Sequence, residues 1–246
     1  MNSEREWDEW FESYGAWILH YARLAEECKI ESLCIGTELH QTIKRTEEWR
    51  YLISEIRKVY SGQLTYAANW YKEYQDVQFW DELDYIGIQG YFPLSKKKNP
   101  SKKELLKSWK KHKGDLMKIS KKYKKKIVFT EIGYKNTADA AKEPWTWPQD
   151  MDHSVEVSDE TQKICYEALF ESLWYETWFD GVFIWKWFHS TYRHEDFDTY
   201  FAAWDKRRKE RAERRGREMR PPVYFTPQRT ETIHTLRDWY SPQSSQ

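Results

Sequence analysis

At 246 residues the chain is long enough for one sizeable core, and its 40 Lys and Arg balance 40 Asp and Glu. That balance excludes an overall field drawing it to nucleic acid or to a membrane surface, and no apolar run approaches the length of a membrane span. The outlying feature is an aromatic content of 17%, with 15 Trp and 17 Tyr: flat indole and phenol rings suit the C–H faces of sugars, and they also anchor cores.

The amino terminus, MNSEREWDEW, is charged and has no apolar stretch, so no secretory signal is visible and no compartment is assigned. From Trp7 to Glu27 the residues Trp10, Phe11, Tyr14, Trp17, Ile18, Tyr21, Leu24 and Ala25 recur at helical spacing, which predicts a long amphipathic helix. Ser32 to Gly36 is a short apolar strand that ends at Thr37-Glu38. Thr46 to Tyr60 is helical, with Trp49, Leu52, Ile53, Ile56 and Tyr60 on one face. Leu64 to Asn69 reads as a strand, followed by a turn of helix around Val77 to Trp80. Tyr85 to Gly90 reads as a strand, Ser101 to Tyr123 as a helix, and Lys126 to Thr130 as a buried strand ending at Glu131. Asp159 to Thr177 is helical, Val182 to Trp187 is strand-like, and a last helix covers about Thr230 to Trp239.

Strands alternating with helices predict βαβ units and a parallel sheet. Five strands are legible, near 33, 64, 86, 128 and 183, where a closed (β/α)8 TIM-type barrel has eight. The expected architecture is therefore a single α/β domain over 1–246 holding the last five strands of such a barrel. Two segments stand apart. The Lys-rich stretch 96–126 reads as a solvated helix face. The segment 193–220, containing DKRRKERAERRGREMR, reads as a charged insertion after the last strand.

Cys28, Cys34 and Cys165 are unevenly spaced and form no CxxC pair, which excludes a disulfide framework and a zinc site; buried thiols are expected. The densest histidine cluster, His189 and His194 with Glu195 and Asp196, matches no familiar metal-ligand spacing, so no metal and no organic cofactor is expected.

Two carboxylates are placed for chemistry. Active sites of parallel barrels lie at the carboxyl ends of the strands, and Glu38 closes LCIGTE while Glu131 closes IVFTE. Glycoside hydrolysis needs such a pair flanking the scissile bond. A helix cap is the competing explanation for either one alone. Asp84 precedes its strand and belongs to the opposite end.

The motifs CIGTEL at 34–39, LTYAANW at 64–70, FWDELDYIGIQGYFPL at 79–94, FTEIGY at 129–134, PWTW at 144–147, FIWKWF at 183–188 and FTPQ at 225–228 together resemble glycoside hydrolase family 113. The resemblance covers nearly all of 7–240 apart from the charged insertion. It implies a (β/α)8 barrel and β-1,4-mannanase activity of the retaining type on mannan or manno-oligosaccharides. It implies Glu38 as acid/base and Glu131 as nucleophile, with Tyr91 bonded to the nucleophile. Asn69, Trp70, Trp145, Trp147, Trp185 and Trp187 are implied as sugar contacts. Thr37 departs from the Asn that related barrels carry before the acid/base. The first helix resembles the one before the family's fourth strand, so the first three strands have no counterpart here. A fragment of a longer enzyme, a second chain completing the barrel, and a non-catalytic carbohydrate-binding fragment are the readings that this departure opens.

Overall fold

The computed structural model describes residues 3–151, 154–188, 197–216 and 222–241. Its elements alternate as the periodicity predicts. Helix α1 spans Glu4–Glu27, strand β1 Ser32–Thr37, α2 Thr46–Arg57, β2 Gln63–Asn69, the one-turn α3 Glu73–Asp76 and β3 Ile86–Gln89. There follow α4 Lys102–Tyr123, β4 Ile127–Ile132, α5 Asp159–Leu173, β5 Phe179–Ile184, α6 Phe197–Arg214 and α7 Thr232–Tyr240. The five strands form one sheet in sequence order, β1-β2-β3-β4-β5, and the pairs β1–β2, β2–β3 and β3–β4 are parallel. This is the five-strand partial barrel of the (β/α)8 type. No described helix is long and apolar enough to cross a membrane.

The chain folds into two compact units that interleave along the sequence. The first comprises residues 1–90, 114–131 and 176–182. Two of its strands are buried on both faces: all of β3 and Leu64 to Ala68 of β2 are buried, as expected for parallel strands under helices. Ser3 caps α1 by accepting the Glu6 N–H, and α1 buries Gly15, Ile18, Ala22 and Ala25. The helical stripe read from the sequence is too wide, however. Trp17, Tyr21 and Leu24 are 53%, 42% and 44% exposed, because the buried face of α1 uses small residues at Gly15, Ala22 and Ala25 for close approach.

Trp49 on α2 is the centre of this unit's core. Its ring stacks on Phe79 at 5.3 Å and meets Tyr66 edge-on at 5.5 Å. Gly36 is required beside it: a Cβ there would lie 2.9 Å from the Tyr66 ring and 3.0 Å from Trp49. Asp84 is structural, as its position before the strand predicts. Its Oδ2 accepts the Leu64 N–H at 2.6 Å and the Arg57 guanidinium at 2.6 Å.

The second unit comprises residues 91–113, 132–175 and 183–246. Phe170 on α5 stacks on Trp239 of α7 at 5.4 Å. The fully buried Gln162 ties four segments: its Nε2 donates to the carbonyls of Tyr134 and Phe225, and its Oε1 accepts the hydroxyls of Thr230 and Thr232. Within the charged segment 193–220, α6 is held by the Arg229–Asp205 ion pair at 2.9 Å.

Two further expectations are corrected. Strand β5 ends at Ile184, after which the chain turns at Trp185 and Lys186, so Trp185 and Trp187 do not continue the alternation of the strand. The last ladder bond on that side runs from Trp185 N–H to Ile132 O at 2.7 Å, which leaves Trp187 beyond the sheet. Of the three thiols only Cys165 is buried; Cys28 sits at the exposed end of α1, and Cys34 faces outward from β1, the terminal strand of the sheet order. The histidine cluster at 189–196 lies outside the described residues.

Candidate active site

Glu38 and Glu131 both stand at the carboxyl ends of strands in the first unit, and each is preceded by a slip in register. Cys34 pairs with Thr65 but Thr37 pairs with Ala67, so β1 carries one extra residue just before Glu38. Ile88 pairs with Phe129 but Gln89 pairs with Glu131, so β4 carries Thr130 as its extra residue. Bulges of this kind re-aim side chains and are common beside active sites. Beyond the slips, Asn69, Gln89 and Glu131 are in register across β2, β3 and β4, forming a polar row at one end of the sheet.

Glu38 begins where β1 ends. Its N–H still bonds Ala67 O at 2.9 Å, but its own φ is +51°, the left-handed region that non-glycine residues seldom occupy. This turns its carboxylate toward the row, where Oε1 accepts the Asn69 Nδ2 amide at 3.0 Å. Asn69 is itself oriented, since its Oδ1 accepts the Tyr71 N–H at 2.9 Å. The Glu38 carboxyl is held above the ordinary carboxylate range. Partial desolvation is the main cause, the Glu131 and Glu73 charges add to it, and the Asn69 amide opposes. Three strand intervals, roughly 14 Å at about 4.8 Å each, separate β1 from β4 along a sheet. The Glu131 charge nevertheless contributes to the shift at Glu38, and both residues stand at the same end of the parallel sheet.

Glu131 is gripped by Gln89. The Gln89 amide nitrogen donates to Glu131 Oε2 at 3.4 Å, and its carbonyl oxygen accepts the Thr130 hydroxyl at 3.0 Å. The bulge residue thus fixes which way the amide faces, and a donor rather than an acceptor meets the carboxylate.

Trp70 follows Asn69 and packs edge-on against Tyr71 at 5.5 Å. The remaining residues named from the sequence belong to the second unit. Tyr91 is buried, two residues past the end of β3. Trp145 and Trp147 project from a loop, 41% and 46% exposed. Trp147 meets Trp185 edge-on at 6.0 Å and Phe225 at 6.1 Å, so three of the quoted motifs converge on one aromatic cluster. Trp187 is exposed and outside that cluster. The loop is fastened by Lys135, buried at 1% exposure, whose Nζ donates to Glu143 O at 2.9 Å and to Pro144 O at 3.3 Å. Burial lowers this amine to about 8, against the opposing charges of Asp139 and Glu143.

The model of the family described as Glycoside Hydrolase Family 113 matches residues 1–206. The chain belongs to glycoside hydrolase family 113. Two structures of a GH113 β-1,4-mannanase, one of them a complex, are similar to it at 30% and 31% identity, each with a TM-score of 0.64 over 77% of this chain. The GH113 β-mannanase AaManA from Alicyclobacillus acidocaldarius, solved in complex with ManMIm, is 27% identical with a TM-score of 0.63, over 77% of this chain. The chain spans little more than half the length of these mannanases, 57%, 57% and 56% respectively. No curated protein matches it.

Sequence reasoning missed Gln89, Thr130, Tyr66 and Glu73. Gln89 was within reach, since it lies two residues before Tyr91 and ends its strand. The contact of Thr130 with Gln89 depends on a bulge, which no period reveals.

Proposed function

We propose that this chain carries both catalytic carboxylates of a retaining glycoside hydrolase that cleaves β-1,4-mannosidic bonds in mannan or manno-oligosaccharides. Glu131 is the nucleophile in this reading and Glu38 the general acid/base. The observation that carries the proposal is the row at the end of the sheet: two strand-end glutamates, each preceded by a register slip and each held by an oriented side-chain amide. Membership of the family, and the mannanases it resembles, support the sugar assignment.

In the first half of the reaction the ionised Glu131 attacks the anomeric carbon while Glu38 gives its proton to the departing oxygen, leaving a glycosyl ester on Glu131. In the second half Glu38 takes a proton from water, and that water displaces the sugar from Glu131. The cycle must begin with Glu38 protonated and Glu131 ionised. The upward displacement of the Glu38 carboxyl supports its half of that starting state. Tyr91 keeps in this proposal the role that the family resemblance implies, a hydrogen bond to the nucleophile. Asn69, Trp70, Trp185, Trp145, Trp147 and Trp187 bind sugar units.

The proposal includes a further polypeptide segment, supplied by a second chain or by a longer form of this one, that completes the barrel. In its support, β1 has no strand partner on its far side among the described residues, and the neighbouring α1 exposes Trp17, Tyr21 and Leu24.

Reducing-sugar release from β-mannan by the chain together with the segment that completes the barrel tests the reading, with folded Glu131→Gln protein in the same assembly beside it. Release that disappears in Glu131→Gln is expected. Binding of manno-oligosaccharide by folded protein that releases nothing would favour the alternative, a non-catalytic carbohydrate-binding fragment.

A further inference from the structure

We infer that Glu73, with Tyr66, is a positioning pair for Glu38, gripping the chain on both sides of the acid/base carboxylate; this rests on the proposed role of Glu38. Glu73 opens α3 and is wholly buried. Its Oε1 accepts the Tyr66 hydroxyl at 2.5 Å and its Oε2 accepts the Asn69 N–H at 3.0 Å. The Tyr66 oxygen in turn accepts the Leu39 N–H at 2.7 Å.

The two ends of this relay meet at Glu38. Leu39 follows it directly. Because Glu38 turns into the left-handed region, the next N–H leaves the sheet ladder and needs another acceptor, which Tyr66 provides. At the other end, Asn69 holds the Glu38 carboxylate through its side chain while Glu73 holds its backbone. One buried carboxylate therefore fixes both the backbone after Glu38 and the amide that touches its side chain.

A buried carboxylate is costly unless paired with a cation, and no cation pairs with Glu73 among the described residues. Its donors are a phenol and a backbone amide. Both of its oxygens are thus committed to groups that flank Glu38. The groups that bear on Glu38 are Glu131 from β4, Glu73 from α3 and Asn69 from the end of β2. Of these, both carboxylates favour the protonated form that a general acid needs, and Glu73 does so from a position out of contact with solvent.

The test is a titration of Glu38 by NMR in the intact chain labelled with 13C at the glutamate carboxyls, the signal being assigned by its loss in Glu38→Gln. Glu73→Gln, which keeps the size and removes the charge, is expected to lower the Glu38 midpoint by about half a pH unit or more. Tyr66→Phe keeps the charge and is expected to leave the midpoint within about 0.2 unit while loosening the Leu39 amide, read as faster hydrogen exchange. An unchanged midpoint in folded Glu73→Gln overturns the inference. So does an unchanged Leu39 exchange rate in Tyr66→Phe, which decides the matter should Glu73→Gln fail to fold. Neither readout needs turnover, so a chain that hydrolyses no mannan would count against the proposed function and leave this test intact.

Discussion

The Asn69 side-chain amide donates to the Glu38 carboxylate at 3.0 Å, and the Tyr71 N–H holds the other end of that amide at 2.9 Å. Asn69 thus presents a fixed donor to a carboxylate whose surroundings otherwise favour its protonated form.

The pH profile should report this opposition. Glu38 must be protonated in the free enzyme, so kcat/KM falls as pH rises through its pKa. Its raised pKa carries that basic limb above the ordinary carboxylate range. Asn69→Ala removes the group that favours the ionised form, so the limb should move to higher pH, with kcat/KM at the optimum reduced by about tenfold. A limb moving to lower pH would contradict the assignment.

Leaving-group dependence separates the two glutamates. Glu38→Gln should lose about 10²- to 10⁴-fold on mannan. On an aryl mannoside with an activated leaving group, the first step should be nearly untouched, as a burst of released phenol. Equal losses on both substrates would remove Glu38 from the acid role.

Gln89 should matter as a donor, not as bulk. Gln89→Leu leaves Glu131 without the amide at 3.4 Å and the Thr130 hydroxyl without its acceptor. A fall in kcat of about tenfold with KM within about twofold is the expected result. Thr130→Val should give a smaller loss in the same direction, because the amide is then free to turn its oxygen to Glu131. Wild-type kcat in Gln89→Leu would show that this contact is idle.

Lys135 makes stability pH-dependent through the loop that carries Trp145 and Trp147. Its folded-state pKa is lowered to about 8 from an ordinary value of 10.5, so the unfolded chain binds more protons between those two values. The contribution of this group to stability therefore rises as pH climbs from about 8 toward 10.5. The neutral amine can still donate to Glu143 O and Pro144 O. The Tm of wild type minus that of Lys135→Met should become more positive from pH 8 to pH 10; a difference that becomes more negative would contradict the burial of this amine.

Much of this fold was legible because the strands are apolar and the helices amphipathic. Thr46–Arg57 matches the helix read from Trp49, Leu52, Ile53 and Ile56, and Glu38 and Glu131 stand at strand ends as their apolar runs require. What failed did so for local reasons. Hydrophobic periodicity marks where an apolar residue falls on a helix, not whether a neighbour covers it, and so Trp17 and Tyr21 were counted into a face that leaves them exposed. Alternation through FIWKWF continues in the letters after the backbone has turned at Trp185. The register slips before Glu38 and Glu131, and the relay through Tyr66 and Glu73, depend on pairing between strands far apart in sequence. No single stretch encodes them.

The most direct measurement is covalent trapping. The chain, together with the segment that completes the barrel, is incubated with a 2-deoxy-2-fluoro-mannosyl donor bearing a good leaving group, and its intact mass and peptide map are read. A single added sugar on the peptide containing Glu131, absent from folded Glu131→Gln, is the predicted result. A sugar attached to a different residue, or hydrolysis of mannan with inversion at the anomeric carbon, would contradict the assignment of Glu131 as nucleophile.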